Sequence, residues 1–163
     1  RDARGGERRS RSRFRDGGEA MPEAVRLLLV EDDDDDAELA LRALARSEVG
    51  PRVVRARDGE EALDVLLGRG PFAGGEALRP DLVLLDLKLP KVDGIEVLRR
   101  FRADGPGRDV PVVVLTSSML PADVRACYEA GADGFVVKQV EFAEHARNLR
   151  QLADYWLRIN VRP

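Results

Sequence analysis

The sequence is poor in metal-binding and cross-linking side chains, with one cysteine, Cys127, and one histidine, His145. A lone thiol excludes an internal disulfide framework and fits a reducing compartment. One Cys and one His also exclude a structural zinc site, which takes about four N or S ligands. Aromatics make up only 5% of the chain, and lysine occurs three times against 24 arginines. No apolar stretch exceeds six residues. That is too short for a transmembrane helix or a secretory core, so no membrane span is expected and the chain reads as cytoplasmic.

What is present is a balance of charge that hides a split. The 163 residues carry 27 Lys+Arg and 30 Asp+Glu, a formal net charge of -3. Residues 1–22 hold seven arginines and four acids, whereas residues 23–163 hold 20 bases and 26 acids. The leading segment has, in its first 20 residues, a single large apolar side chain, Phe14. It cannot bury enough surface to offset its ordering entropy and reads as a disordered basic extension, 1–22. Met21 before the first apolar run is a natural start for the remainder. One domain of about 140 residues then spans 23–163.

From there, short apolar strands alternate with amphipathic helices. Strands are expected at Val25–Val30, Val53–Ala56, Asp81–Asp86, Val110–Leu115 and Phe135–Val137. Helices are expected at Ala37–Arg46, from the Asp58 cap through Leu67, at Gly94–Arg102 after the Asp93 cap, at Ala122–Ala130, and from Glu141 to Leu157. A Gly/Pro loop covers Gly68–Pro80. In the last helix Phe142, Leu149, Leu152, Ala153 and Trp156 mark one stripe. Five βα units whose strands are apolar on both faces predict an α/β fold, a parallel sheet between two helical layers. Ligands of such sheets sit at the carboxyl ends of the strands.

Those ends concentrate chemistry. The first strand closes on Glu31-Asp32, followed by four more aspartates. The third closes on Asp86, the fourth on Thr116-Ser117, the fifth on Lys138. Carboxylates brought together without a cation repel one another. A hard divalent ion, above all Mg²⁺, resolves that conflict and also suits phosphoryl oxygens. Asp33–Asp36 read as a solvated loop, with one of them capping the next helix. Cys127 reads as core filler. His145 reads as a surface residue away from the strand ends. Tyr155 and Trp156 divide between core stripe and dimer contact.

Several segments resemble, in order, a bacterial two-component response-regulator receiver domain. They are Val30-Glu31-Asp32-Asp33, Leu85-Asp86-Leu87-Lys88-Leu89-Pro90-Lys91-Val92-Asp93-Gly94, Leu115-Thr116-Ser117 and Gly134-Phe135-Val136-Val137-Lys138. Finer features are similar to the single-domain regulators paired with phytochrome-type kinases: residues 35–44, the turn at 56–63, the long loop before Pro80, and Tyr155-Trp156-Leu157.

The resemblance implies a doubly wound, flavodoxin-like sheet of order 2-1-3-4-5 with helices on both faces. It implies that Asp86 accepts a phosphoryl group from a histidine kinase, of bacteriophytochrome type by the finer features. Mg²⁺ would be held by Glu31, Asp32, Asp86 and the Lys88 carbonyl. Lys138 would pair with the carboxylate and then the phosphoryl group. Thr116 would donate to a phosphoryl oxygen, and Phe135 would turn inward as the switch. The protein would then signal by contact rather than act as an enzyme on a separate substrate. The six residues after Leu157 are too few for a DNA-binding output domain. A homodimer is expected through helix 4–strand 5–helix 5 or the C-terminal helix.

Gln139 stands where the family usually has proline, so the loop after Lys138 is expected to be trans. Two other readings stay open here: an interaction module never phosphorylated, and a haloacid-dehalogenase-type phosphohydrolase using Asp32.

Overall fold

The computed structural model describes residues 25–73, 79–104 and 107–161. The basic extension 1–22 and residues 74–78 of the long loop therefore lie outside the described residues.

Five strands, β1 (Arg26–Val30), β2 (Arg52–Ala56), β3 (Leu82–Asp86), β4 (Val112–Thr116) and β5 (Gly134–Val137), form one parallel sheet in the order β2-β1-β3-β4-β5. Five helices alternate with them: α1 (Asp34–Ala45), α2 (Gly59–Leu67), α3 (Gly94–Ala103), α4 (Pro121–Glu129) and α5 (Phe142–Asp154). The expected architecture is the observed one, with most element ends within one or two residues.

Strand periodicity builds the two layers, because successive side chains point to opposite faces. Leu28, Val30, Val83, Leu85, Val112 and Val114 pack against α2, α3 and α4 on one face. Leu27, Leu29, Leu82, Leu84, Val113 and Leu115 pack against α1 and α5 on the other. Strands β3 and β4 are buried along their whole length, whereas every residue of β5 is only half-buried. Cys127 is fully buried in the first layer, as core filler.

Four expectations need correction. Helix α1 starts at Asp34 with Asp33 as its cap, accepting from the Asp36 N–H at 2.9 Å, so Asp34–Asp36 form the first helical turn. Acids there suit the positive end of the helix dipole, which the apolar periodicity from Ala37 could not reveal. Phe142 belongs to no buried stripe and is 71% exposed, since it opens α5. The last helix also changes form at Tyr155, where residues Tyr155–Ile159 make a π-helical turn closed by Asn160 N–H to the Tyr155 carbonyl at 2.7 Å. Trp156 there packs against the α1/α5 layer while Tyr155 stays half exposed.

The fourth correction is His145. It is buried on α5, with Nδ1 lacking any partner among the described residues. Burial, and after it the charge of Lys138, lowers its affinity for a proton. A single polar residue on an amphipathic helix carries no mark of which side it takes.

At the other, amino-terminal ends of β4 and β5, Arg102 ties three segments together. It donates to the carbonyls of Gly131 (2.9 Å), Val110 (2.7 Å) and Gly107, and to Asp133 Oδ2 (2.7 Å).

Candidate phosphoryl and metal site

Strand register brings the chemical residues to one edge. Val30 stands opposite Leu85, Asp86 opposite Leu115, and Thr116 opposite Val137. Glu31, Asp86, Thr116 and Lys138 are therefore the last residue of a strand or the first beyond one. Oxygens of Glu31, Asp32 and Asp86 all lie within 4.8 Å of one another. Glu31 and Asp86 are buried and Asp32 is exposed, so the cluster opens to solvent on one side.

Lys138 projects from the end of β5 into this cluster. Its Nζ donates to Glu31 Oε2 at 2.6 Å, Asp86 Oδ2 at 2.9 Å and Asp36 Oδ2 at 3.0 Å. Its own N–H donates to the Thr116 carbonyl at 2.8 Å, which fixes the root of the side chain. The Gln139 amide donates to the Val137 carbonyl at 3.3 Å, and every described peptide bond is trans. Glutamine in place of proline therefore still lets Lys138 reach Asp86.

The electrostatics follow from crowding. Burial alone would push the Lys138 ammonium down; the Glu31 hydrogen bond and the Asp86 charge more than offset it and hold it well above the ordinary lysine range. Burial raises the Glu31 carboxyl above its usual range, and the Lys138 bond only partly reverses this. Three carboxylates, those of Glu31, Asp36 and Asp86, thus share one ammonium, with Asp32 beside them. An acidic oxygen donor set with an unbalanced negative charge fits a hard divalent cation.

Loops hold these groups in place. Arg55 on β2 donates to the Glu31 carbonyl (3.0 Å), the Asp32 carbonyl (3.3 Å) and Asp34 Oδ1 (2.7 Å), clamping the turn after β1. Asp86 Oδ1 accepts the Lys88 N–H at 3.2 Å, while the Lys88 side chain is exposed. Gly94 lets α3 start against the Asp86 backbone, since a methyl there would sit 2.3 Å from the Asp86 carbonyl oxygen. Thr116 is buried, its hydroxyl accepting the Ser118 N–H at 3.1 Å. Phe135 is half-buried against the α2–α4 layer.

Glu31, Asp32, Asp86 and Lys138 thus lie together, and Thr116 closes the strand beside β5 with its carbonyl bonded to the Lys138 N–H. Arg55 and Asp36 are additions. Arg55 sits in a short strand, where nothing in its spacing distinguishes it from an ordinary exposed charge. Asp36 was hidden in a run of acids.

Comparison with known proteins gives a consistent result. The family described as response regulator receiver domain matches residues 27–150. The chain is 41% identical over 137 residues to the probable methanogenesis regulatory protein FilR2 of Methanothrix harundinacea, covering 84% of this chain and 86% of that one. The phosphorylated cyanobacterial phytochrome response regulator RcpA superposes with a TM-score of 0.80 at 36% identity, over 86% of this chain and 99% of that one. The Mn²⁺-bound form of response regulator Rcp1 gives 0.78 at 33% identity, over 85% and 99%. Rcp1 is a protein of Synechocystis sp..

Proposed function

Because this chain belongs to the response-regulator receiver family, we propose that it works as a phosphoacceptor switch, with Asp86 taking a phosphoryl group from the phosphohistidine of a sensor histidine kinase. The observation that carries this reading is the ion pair between Lys138 and Asp86, 2.9 Å long, beside the Glu31, Asp32 and Asp86 oxygens.

A carboxylate oxygen of Asp86 attacks phosphorus as the N–P bond of the phosphohistidine breaks, leaving an acyl phosphate on Asp86 and a neutral imidazole after proton uptake from solvent. Glu31, Asp32, Asp86 and the Lys88 carbonyl would hold Mg²⁺, which would neutralise charge on the phosphoryl oxygens. Lys138 releases Asp86 Oδ2 and donates to the phosphoryl group instead. Thr116 gives up the Ser118 contact and turns its hydroxyl toward a phosphoryl oxygen. The space it leaves lets Phe135 move inward, shifting a pre-existing equilibrium of the β5 edge. The same residues give the acyl phosphate a finite life, so phosphorylation and loss of phosphate are both aided by this chain.

The kinase is of phytochrome type, a reading supported by the likeness to RcpA. The output is a protein contact made by a receiver unit spanning 23–163, with 1–22 outside it and the chemistry in the cytoplasm. The lone buried thiol suits that compartment, and among the described residues no helix is long and apolar enough to cross a membrane. A homodimer formed through the end of α5 would cover Tyr155 and Ile159, which are exposed.

Acetyl phosphate with Mg²⁺ is expected to give a hydroxylamine-labile acyl phosphate that Asp86→Asn abolishes. A folded wild-type protein that never becomes labelled under these conditions would sink the reading. Labelling that survives Asp86→Asn and is lost in Asp32→Asn would move the nucleophile to Asp32.

A further inference from the structure

The ammonium of Lys138 has three N–H bonds and three acceptors, each on a different element: Glu31 after β1, Asp86 on β3 and Asp36 on α1. The set is saturated. Two of these acceptors have other duties, since Glu31 and Asp86 belong to the carboxylates whose oxygens gather within 4.8 Å. Asp36 stands outside that group.

It is also firmly mounted. Its N–H is held by the Asp33 cap, and its neighbours Ala37 and Ala40 are buried where α1 packs on α5. Lysine carries its charge on a flexible four-carbon stem and needs external contacts to hold one direction. We propose that Asp36 is a positioning residue for phosphoryl transfer, keeping one N–H of Lys138 in place while the other two change partners. The ammonium then pivots about a fixed contact as Asp86 is phosphorylated. This rests on Asp86 being the phosphoacceptor.

The scarcity of lysine makes a direct test practical, because only Lys88, Lys91 and Lys138 contribute ammonium signals. Lys88 is exposed and the Lys91 side chain is 59% exposed, against 13% for Lys138. In ¹⁵N spectra at low temperature, wild-type protein is expected to show one slowly exchanging ammonium resonance, from Lys138. Asp36→Ala should lose or shift it, whereas Asp36→Asn, which keeps an acceptor, and Asp35→Ala, which removes a neighbouring acid, should retain it.

With acetyl phosphate and Mg²⁺, Asp36→Ala is expected to lower the maximal rate of acyl phosphate formation by about 5- to 20-fold. The acetyl phosphate concentration for half-maximal rate should stay within about twofold. Asp36→Asn should recover most of the rate. Asp36→Ser, too short to reach Lys138, replaces the alanine variant if thermal melting shows that one unfolded.

Equal rates in wild type and Asp36→Ala overturn the proposal, as does an unchanged Lys138 resonance. Slowing by Asp35→Ala as large as by Asp36→Ala, or no recovery in Asp36→Asn, assigns the effect to charge and also overturns it. A wild type that accepts no phosphoryl group removes the phosphoacceptor reading as well, whereas labelled wild type with an indifferent Asp36→Ala removes this inference alone.

Discussion

His145 is buried with its Nδ1 unpartnered among the described residues. Burial lowers its tendency to take a proton, and the positive charge of Lys138 lowers it further against a smaller opposing effect of Asp36. The folded state therefore binds fewer protons than the unfolded chain below the ordinary histidine value of about 6.5. Stability contributed by neutral His145 is complete above that pH and is lost as pH falls toward the depressed folded value, by up to about 1.4 kcal/mol per pH unit. Glu31 runs the other way. Its raised value makes the folded state bind more protons above the ordinary glutamate range, so acid relieves a cost. Replacing His145 with Leu isolates the first effect, because Glu31 is common to both proteins. Urea unfolding midpoints are expected to fall between about pH 7 and about pH 5.5 more steeply in the wild type than in His145→Leu. Parallel midpoints would mean that His145 takes up its proton in the folded state as readily as in the unfolded one.

At the scale of elements, the site depends on how closely the β3–α3 turn folds back on its strand. Gly94 N–H donates to the Leu87 carbonyl at 2.9 Å, and its missing side chain leaves room for the Asp86 carbonyl. Gly94→Ala is expected to cost about 1–3 kcal/mol in chemical denaturation, through overpacking at a position with no flexible neighbour to yield. Asp86 should lose phosphorylation rate in the same variant, since its backbone must shift.

Element scale is also where the sequence was most readable. All five strands announced themselves by runs of Leu and Val, and Asp58 and Asp93 marked two helix starts by the need of free N–H groups for an acceptor. The start of α1 was obscured because Asp33 through Asp36 are all competent caps and composition cannot choose among them. The π-helical turn was invisible for a different reason. Its hydrogen bonds are one residue longer than those of an α-helix, and the stripe of Leu149, Leu152 and Trp156 satisfies either pattern over so short a span. Site residues at strand ends were legible through topology, which converts position in a strand into position in space. Asp36 and Arg55 were not, because their partners lie 102 and 24 residues away and neither position has a distinctive spacing.

For the whole molecule, the described surface carries apolar side chains at the end of the last helix. Ile159 is 65% exposed and Tyr155 nearly half. Exposed apolar residues gathered near one end of a domain favour an interface with another protein surface. A homodimer is therefore expected in sedimentation equilibrium, strengthened by a phosphoryl mimic and weakened by Tyr155→Ser with Ile159→Ser. A monomer in every state would remove the dimer from the proposed function and leave the phosphoacceptor chemistry untouched.

The uneven burial of the sheet has a mechanical meaning. Strands β3 and β4 are stiff because both faces and both edges are occupied. Among the described residues, strand β5 pairs on one side only, with β4, and is half-covered throughout. Asp86 is thus anchored in the rigid spine, while the Lys138 ammonium paired with it rides on the compliant margin. Phe135 and Val136 on that margin press into opposite helical layers. A pull on Lys138 would load one layer as it unloads the other. The domain can thus export a signal as a small flexure of its edge, with its core intact.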